Sequence, residues 1–404
     1  MKALLFTIEK FIELLNKKIE DSSFTPKIYE LLNKKIEDIP EPELINDDWV
    51  KVKVKLGGIC GTDIHILEIK QSTYQFNFVS SPAVPGHEIV GIITELGTNV
   101  KNLSVGDRVL IDEVLSCETR GLELCDACKE GNFNLCYNYD KGNIAPGFMI
   151  GLCKDTGGGW GEYLVAHQSQ IFKIPDSVTF EEALIAEPLA GSIHGVLKNN
   201  PKDDETVVVV GCGVMGLLVI QALKIFSKCK IIAVDTRQSQ IDMAAKLGVD
   251  EVFLASKSGF FRKIAKKLGA RTVSVPLQDP LLVGGNADFV FDCVGIPSSL
   301  TTSLRLVRPQ GTLMLIGQPA ILEIDWTPLF LKEITVIASN TFGSEIINNE
   351  KKRTLQIALD LISSRQVNVS EFITHKFSLE NYKEALEVAS KKSEYNSLKV
   401  VFEF

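Results

Sequence analysis

The chain has 404 residues, 45% of them hydrophobic and 23% charged, with a formal net charge of −8. This length corresponds to about two or three domains with large cores, and the composition excludes disordered, fibrous and small disulfide-rich proteins. Because binding to nucleic acid requires a basic surface, the acidic balance argues against such a partner.

Two apolar segments bear on cellular location. The first residues, MKALLF, form too short a stretch for a signal peptide and lack a cleavage site, so we expect a cytoplasmic protein. The run Val207–Leu223 has 17 uncharged residues, which makes it a weak candidate for a membrane span. Its three glycines and polar flanks favour a buried strand, turn and helix, so we expect no membrane partner.

The nine-residue string ELLNKKIED occurs twice, at 13–21 and again at 30–38. Its apolar positions predict a short amphipathic helix. Two copies do not make a solenoid, which needs at least three repeats. We interpret them as a local duplication within a surface insertion at about 8–38, with an oligomer contact or a partner helix as the alternative.

The region after Pro40 and Pro42 predicts a compact β domain. Residues 49–58 alternate apolar and basic side chains, which is typical of a half-buried strand. From there to about 175 the sequence is rich in glycine, valine and proline, with little helical periodicity.

From about residue 180, helical patterns alternate with short buried strands, which predicts a parallel sheet with helices on both faces. The predicted strands are 206–211, 230–235, 287–295, 311–317 and 334–339. A helix follows at 353–366, and a strand ends the chain. We therefore predict domains at 1–186 and 187–340, with a segment 341–404 that rejoins the first.

The strand at 206–211 leads into a glycine-rich turn and a helix, the context of a dinucleotide site. In the GxGxxG string, Gly211 permits the turn, Gly213 admits a pyrophosphate and Gly216 lets the helix pack against the strand. Val214 and Met215 complete the string ahead of the predicted helix, whose free N–H groups favour phosphate.

Asp235 ends the next strand, 19 residues beyond Gly216. An acidic residue there suits the ribose hydroxyls of NAD and disfavours the 2′-phosphate of NADP. Arg237 leaves NADP open, because its side chain would suit either that phosphate or the adenine face.

Three of the nine cysteines, Cys125, Cys128 and Cys136, lie at metal-ligand spacing, and Cys117 lies eight residues before the first of them. Four thiolates around one Zn²⁺ make a closed structural site. Free surface thiols are the alternative, although such a cluster would be prone to oxidation.

A second group is dispersed along the chain. Cys60 and His87 are natural ligands for a catalytic Zn²⁺, and either Glu187 or Glu88 would complete a set that leaves one position open. Each residue alone is ambiguous, and only their occurrence beside a dinucleotide fold gives them weight.

With these motifs, the chain resembles the zinc-dependent medium-chain alcohol and polyol dehydrogenases, nearest in pattern to the sorbitol, threonine and glucose branches. The resemblance covers about 40–404 and rests on GICGTDIH, PGHEIVGIITELG, VGDRV, GGWGEYLV, AEPLAGSIHGV, VVGCGVMG and FITHKF. It implies an α/β fold in which a Rossmann doubly wound parallel sheet is joined to a mainly β, GroES-like catalytic domain.

The resemblance also implies residue roles. Cys60 and His87 would bind the catalytic zinc with Glu187, while Glu88 would be a nearby or exchanging ligand. Thr62 would hydrogen-bond the substrate hydroxyl, Asp63 would orient His87, and His65 would pass the proton towards solvent. The family suggests a homodimer or homotetramer acting on a small alcohol or polyol.

The chain departs from the family pattern in three places. Seven residues separate Cys117 from Cys125, where the family has two, so either Cys117 loops back or the site borrows another ligand. The insertion at about 8–38 and the long stretch 256–286 are also atypical.

Three functions stay open on the sequence alone. The favoured one is reversible hydride transfer between a secondary alcohol, polyol or sugar hydroxyl and NAD(P). The alternatives are a zinc-free quinone or enone reductase of the same superfamily and a catalytically dead dinucleotide-binding regulator.

Overall fold

The structure is a computed structural model that describes residues 1–21, 24, 26–32, 36–70 and 72–404. The chain forms two compact units. Unit 1 comprises Met1–Glu187 and Phe342–Phe404, and unit 2 comprises Pro188–Thr341. The last part of the chain therefore completes the unit that the first part begins.

The strands are β1 (Lys2–Ala3), β2 (Glu37–Asp38), β3 (Trp49–Ile59), β4 (Ile89–Leu96), β5 (Arg108–Ile111), β6 (Tyr163–His167), β7 (Ile171–Lys173), β8 (Thr206–Val210), β9 (Lys230–Asp235), β10 (Glu251–Leu254), β11 (Arg271–Val275), β12 (Gln278–Val283), β13 (Ala287–Asp292), β14 (Val307–Leu315), β15 (Thr335–Ala338), β16 (Ser344–Ile347), β17 (Glu350–Arg353), β18 (Ile373–Phe377) and β19 (Lys399–Glu403).

The α-helices are α1 (Ile8–Glu20), α2 (Gly61–Leu67), α3 (Asp126–Lys129), α4 (Phe180–Leu184), α5 (Ala186–Lys198), α6 (Val214–Phe226), α7 (Gln238–Lys246), α8 (Phe260–Lys267), α9 (Pro297–Leu306), α10 (Thr327–Lys332), α11 (Thr354–Ser363), α12 (Tyr382–Ser390) and α13 (Lys392–Tyr395). Short 3₁₀ turns occur at Thr73–Phe78, Phe133–Leu135, Gln168–Gln170 and Leu379–Asn381.

Unit 1 is built around the long strand β3, which confirms the strand predicted there. Its main sheet runs β18-β19-β3-β4-β5-β7, and β6 also pairs with β3. The alternation predicted for β3 buries Val50, Val52 and Val54 in the core. Because β19 pairs antiparallel with β3, the last residues of the chain lie beside the segment that leads to Cys60.

Unit 2 contains the predicted parallel sheet, in the order β10-β9-β8-β13-β14-β15. With only the strands of this sheet numbered in chain order, this is the 3-2-1-4-5-6 order of a doubly wound dinucleotide fold. The run Val207–Leu223 forms most of β8 and α6, as predicted. Within the described ranges, no helix combines the length and apolarity needed to cross a membrane.

The two copies of ELLNKKIED adopt different structures. The first lies mostly in α1, where Phe11 and Leu14 pack into the core of unit 1. The helix prediction is wrong for the described part of the second copy, where Leu32 bridges to Phe6 and Glu37–Asp38 pairs with β1. Residues 33–35 lie outside the described residues. Pairing with the start of the chain therefore overrides the helical pattern of this copy.

Candidate active site and metal centres

Cys60 and Asp63 lie at the start of α2 and are linked through the backbone. The Cys60 N–H donates to Asp63 Oδ2 at 2.8 Å, which fixes the turn between β3 and α2. Asp63 Oδ1 in turn lies 3.5 Å from Nδ1 of the buried His87. Burial disfavours a charge on this imidazole, but the Asp63 carboxylate outweighs burial and raises the pKa of His87.

Thr62 and His65 lie on the same helix, α2, and are both only partly exposed. Burial and the nearby Lys70 charge lower the pKa of His65, so this imidazole favours its neutral form. A neutral imidazole can both accept and donate a proton, which is the property that a proton relay needs.

His87 and Glu88 follow a tight turn that only glycine can make here. Gly86 has φ +91°, and a Cβ on it would come within 2.4 Å of the Trp160 ring. A Cβ on Gly58 would come within 2.0 Å of Glu88 Oε2. Gly58 and Gly86 therefore leave the space in which His87 and Glu88 are buried.

The ligand atoms of Cys60, His87 and Glu88 all lie within 4.8 Å of one another. Glu187, near the start of α5, is buried beside them but falls outside this compact group. Burial, together with the charge of Glu88, raises the pKa of Glu187 to about 8. The structure thus brings three of the four predicted residues, Cys60, His87 and Glu88, into one compact group, and Glu187 interacts with this group electrostatically.

Lys399 is a site residue that the sequence analysis missed. It comes from β19, is 5% exposed, and its Nζ donates to both carboxylate oxygens of Glu88 at 2.5 and 2.7 Å. The signal was a lysine at the start of an otherwise apolar strand, SLKVVFEF, where a buried cation needs an anionic partner.

Glu113 is the second residue that was missed. It follows β5, is fully buried, and neither carboxylate oxygen has a hydrogen-bond partner among the described residues. Burial and the Glu187 charge raise its pKa well above the ordinary value. The neighbouring Asp112, by contrast, is paired with Arg353. The available signal was an acidic pair directly after a buried strand.

The four predicted structural cysteines come together, with their sulfur atoms within 4.8 Å of one another. A turn at 117–122, in which the Leu122 N–H donates to the Cys117 carbonyl, carries Cys117 back to the cluster. Its sulfur lies 3.5 Å from Cys136 Sγ and accepts hydrogen bonds from the Cys125 backbone and the Asn138 side chain. The long spacing is therefore accommodated by a turn, with Cys117 in the group.

Arg120 supports this cysteine lobe from inside. It is fully buried, and its guanidinium donates to the backbone carbonyls of Leu115, Lys141, Ile144, Ala145 and Gly147. One buried cation thus links the segment that contains Cys117 to the segment 141–147.

The predicted dinucleotide glycines are explained by close contacts in unit 2. A Cβ on Gly216 would lie 1.8 Å from the Gly211 carbonyl oxygen, so α6 packs directly on the turn. Gly211 has φ +89°, and Gly213 faces open space with nothing within 4 Å of a built Cβ. Val214 and Met215 form the first turn of α6, which begins directly after Gly213. These features match a backbone cradle for a pyrophosphate.

Asp235 and Arg237 lie at the carboxyl end of β9. The Asp235 carboxylate accepts hydrogen bonds from the Cys212 N–H at 2.7 Å and the Arg237 N–H at 2.8 Å, which ties the two loops together. The Arg237 Nε lies 3.7 Å from the same carboxylate. Its Nη1 is buried without a hydrogen-bond partner among the described residues.

A cavity of about 840 Å³ opens beside Gly211 and Asp235. Its far wall is formed by the β11–β12 hairpin, through residues that include Thr272, Ser274 and Gln278. This hairpin is part of the atypical stretch 256–286. The atypical stretch 256–286 therefore lines the cavity that also borders Gly211 and Asp235.

Comparisons with known proteins place these sites in a family. Residues 46–176 match the alcohol dehydrogenase GroES-like domain, and residues 214–364 match the zinc-binding dehydrogenase domain. A sorbitol dehydrogenase from Bombyx mori is 31% identical over 87% of this chain and 90% of its own length. The chain belongs to the zinc-dependent medium-chain polyol dehydrogenases. The resemblance read from the motifs is therefore confirmed.

Other relatives agree. The L-idonate 5-dehydrogenase of Vitis vinifera is 30% identical over 87% of each chain. The crystal structure of 2R,3R-butanediol dehydrogenase from Bacillus subtilis has a TM-score of 0.72 and 24% identity, and the match covers 100% of this chain and 99% of that chain. The fold class is confirmed, and the protein is a zinc-type, NAD(P)-dependent oxidoreductase acting on CH–OH groups.

The cysteine cluster gives a first prediction. Cys117→Ser should lower the zinc content from about two ions to about one per chain and reduce Tm by roughly 5 °C or more, because a closed zinc site contributes directly to folding. Elemental analysis and thermal unfolding would measure both effects. Cys229→Ser, a buried cysteine outside the cluster, is the matched control and should keep the full zinc content. Equal zinc in the two variants would contradict the site.

Proposed function

We propose that the protein oxidises a secondary hydroxyl of a polyol or sugar with NAD⁺, reversibly. The observation that carries this proposal is the compact group of Cys60, His87 and Glu88, with the buried Glu187 in electrostatic contact with it, a sulfur, nitrogen and oxygen donor set that fits one Zn²⁺. Relatives named sorbitol dehydrogenase, L-idonate 5-dehydrogenase and D-xylulose reductase support a polyol or sugar substrate.

We assign separate tasks to the residues of α2. A bound zinc ion would acidify the substrate hydroxyl, as it acidifies water. Thr62 would hydrogen-bond that hydroxyl and receive its proton, and His65 would release the proton towards solvent. Asp63 would hold the His87 ring in the orientation that metal binding requires.

Glu187 is our choice for the third ligand. Distance favours Glu88, whose oxygen lies within 4.8 Å of the other two ligand atoms. Charge balance favours Glu187, because Lys399 already neutralises Glu88 through both of its oxygens. A carboxylate without an ion-pair partner gains most from binding a metal ion. The attraction between Glu187 and the ion would therefore offset the cost of a small movement of Glu187 towards it.

We propose that unit 1 carries the substrate and the zinc ions and that unit 2 binds the dinucleotide. NAD is preferred over NADP in this proposal, because the Asp235 carboxylate would repel a 2′-phosphate. Nine cysteines without a disulfide fit a cytoplasmic setting. The family favours a homodimer or homotetramer.

The function is tested by a panel assay. NADH absorbance should rise with at least one polyol or sugar alcohol, with a kcat/KM for NAD⁺ above that for NADP⁺. Simple primary alcohols should be poor substrates. Reduction of quinones or enones by a zinc-free preparation would support the alternative reductase instead, and turnover of none of the compounds would favour the regulatory protein.

The ligand assignment predicts different outcomes for two variants. Glu187→Gln should lose the catalytic zinc, leaving about one ion per chain, and reduce kcat/KM by roughly 100-fold or more. Glu88→Gln should retain the zinc but lower Tm, because it leaves the buried Lys399 without an anion. Zinc analysis of the two purified variants decides the assignment, and the opposite pattern would make Glu88 the ligand.

The hairpin wall predicts a local effect on cofactor binding. Ser274→Trp should fill the cavity and raise the Kd for NADH about tenfold or more, a loss of at least ~1.4 kcal/mol. Val273→Trp is the matched control, because Val273 is exposed on the same strand and does not line the cavity. Titration by NADH fluorescence measures the Kd of each variant. Equal Kd values for the two variants would show that the hairpin does not contribute to the NADH site.

A further inference from the structure

Glu113 is a buried acid that the proposed mechanism does not use. Its side chain is fully buried, and neither oxygen accepts a hydrogen bond from another described side chain or backbone group. Glu113 interacts electrostatically with Glu187 and His87, so its carboxyl group lies within electrostatic range of the proposed metal ligands. A buried, unpaired carboxylate destabilises a folded protein unless a binding partner compensates for the cost.

The cations nearby are committed to other acids. Lys399 binds both oxygens of Glu88, and Arg353 binds Asp112. His87 faces Asp63. Within the described part of the chain, the buried acids near the site therefore have partners except Glu113 and Glu187.

A zinc ion would not balance Glu113 either. Its two positive charges would be matched by the Cys60 thiolate and the Glu187 carboxylate, with His87 as a neutral ligand. One negative charge, or one bound proton, would be left on Glu113 next to the place where the substrate hydroxyl must bind. A donor group on the substrate would satisfy it.

We propose that Glu113 determines specificity by binding a second hydrogen-bond donor of the substrate, close to the hydroxyl that is oxidised. The donor is the neighbouring hydroxyl of a vicinal diol or the ammonium group of a vicinal amino alcohol. The inference rests on the proposed dehydrogenase function and adds a requirement to it, that a good substrate carries this second group.

The test compares three small substrates of one carbon skeleton: propylene glycol, isopropanolamine and isopropanol. The first two carry the second donor and isopropanol lacks it. In the wild-type holoenzyme, kcat/KM should be higher for at least one donor-bearing compound than for isopropanol. Glu113→Ala should reduce that preference about 10- to 100-fold, the value of a hydrogen bond to a charged group, with little change for isopropanol.

Glu113→Gln separates the two donors. A neutral amide still hydrogen-bonds a hydroxyl but no longer attracts an ammonium group. A preference for propylene glycol should therefore survive in part, whereas a preference for isopropanolamine should be lost. Because neither carboxyl oxygen of Glu113 has a hydrogen-bond partner among the described residues, Glu113→Gln should also leave Tm unchanged or raised, whereas a merely structural role of Glu113 would lower it.

Three results would overturn the inference. The preference stays the same in Glu113→Ala, or all three substrates lose activity equally, or the variant loses the catalytic zinc and so identifies Glu113 as a ligand. Two wild-type results would also overturn the inference while leaving the proposed function standing: no preference for a donor-bearing compound over isopropanol, or oxidation of polyols of the panel but of neither donor-bearing compound. If the wild-type protein binds NADH and zinc but oxidises neither these compounds nor any polyol or sugar alcohol of the panel, the proposed function fails together with the inference.

Discussion

Acidic groups buried beside Cys60 and His87, in excess of the available cations, are the constraint on which unit 1 depends. Burial of a carboxylate without a partner costs several kcal/mol, so a sequence that places three glutamates there must provide compensation. Lys399 compensates Glu88. Burial raises the pKa values of the other two, Glu187 and Glu113, which we propose meet a divalent ion and a polar substrate.

The rest of unit 1 can be understood as support for this arrangement. Gly58 and Gly86 leave room for the buried acid and imidazole, because a side chain at either position would overlap Glu88 or Trp160. The strand β19 carries Lys399 across the sheet to Glu88, which explains why the last segment of the chain belongs to this unit. The four-cysteine cluster lies in another part of unit 1, where Arg120 links the neighbouring chain segments through their carbonyl groups.

Much of the fold was predictable because its signals are local. The strand, turn and helix around Gly211 follow from a short string, and strands alternating with helices imply a parallel sheet. The cysteine cluster was also visible as spacing, although the turn that returns Cys117 was not. Lys399 and Glu113 were missed because their meaning depends on partners brought close by the fold; Glu88 is 311 residues away from Lys399.

The duplicated string shows the opposite limit of local reasoning. Two identical nine-residue segments adopt different structures although both reach the same core: the first packs Leu14 there from a helix, whereas the second packs Leu31 and Leu32 there and pairs with β1. The role of the β11–β12 hairpin was also not predictable from local sequence. The sequence marked this stretch as atypical, but only the fold shows that it lines the cavity beside Asp235.

The most direct measurement is anomalous diffraction at the zinc absorption edge from crystals of the purified protein. The account predicts one peak among the four cysteines and a second peak bonded to Cys60, His87 and a carboxylate, with Lys399 still on Glu88. A peak at the cysteines alone, with no density between Cys60 and His87 at full zinc saturation, would contradict the central claim.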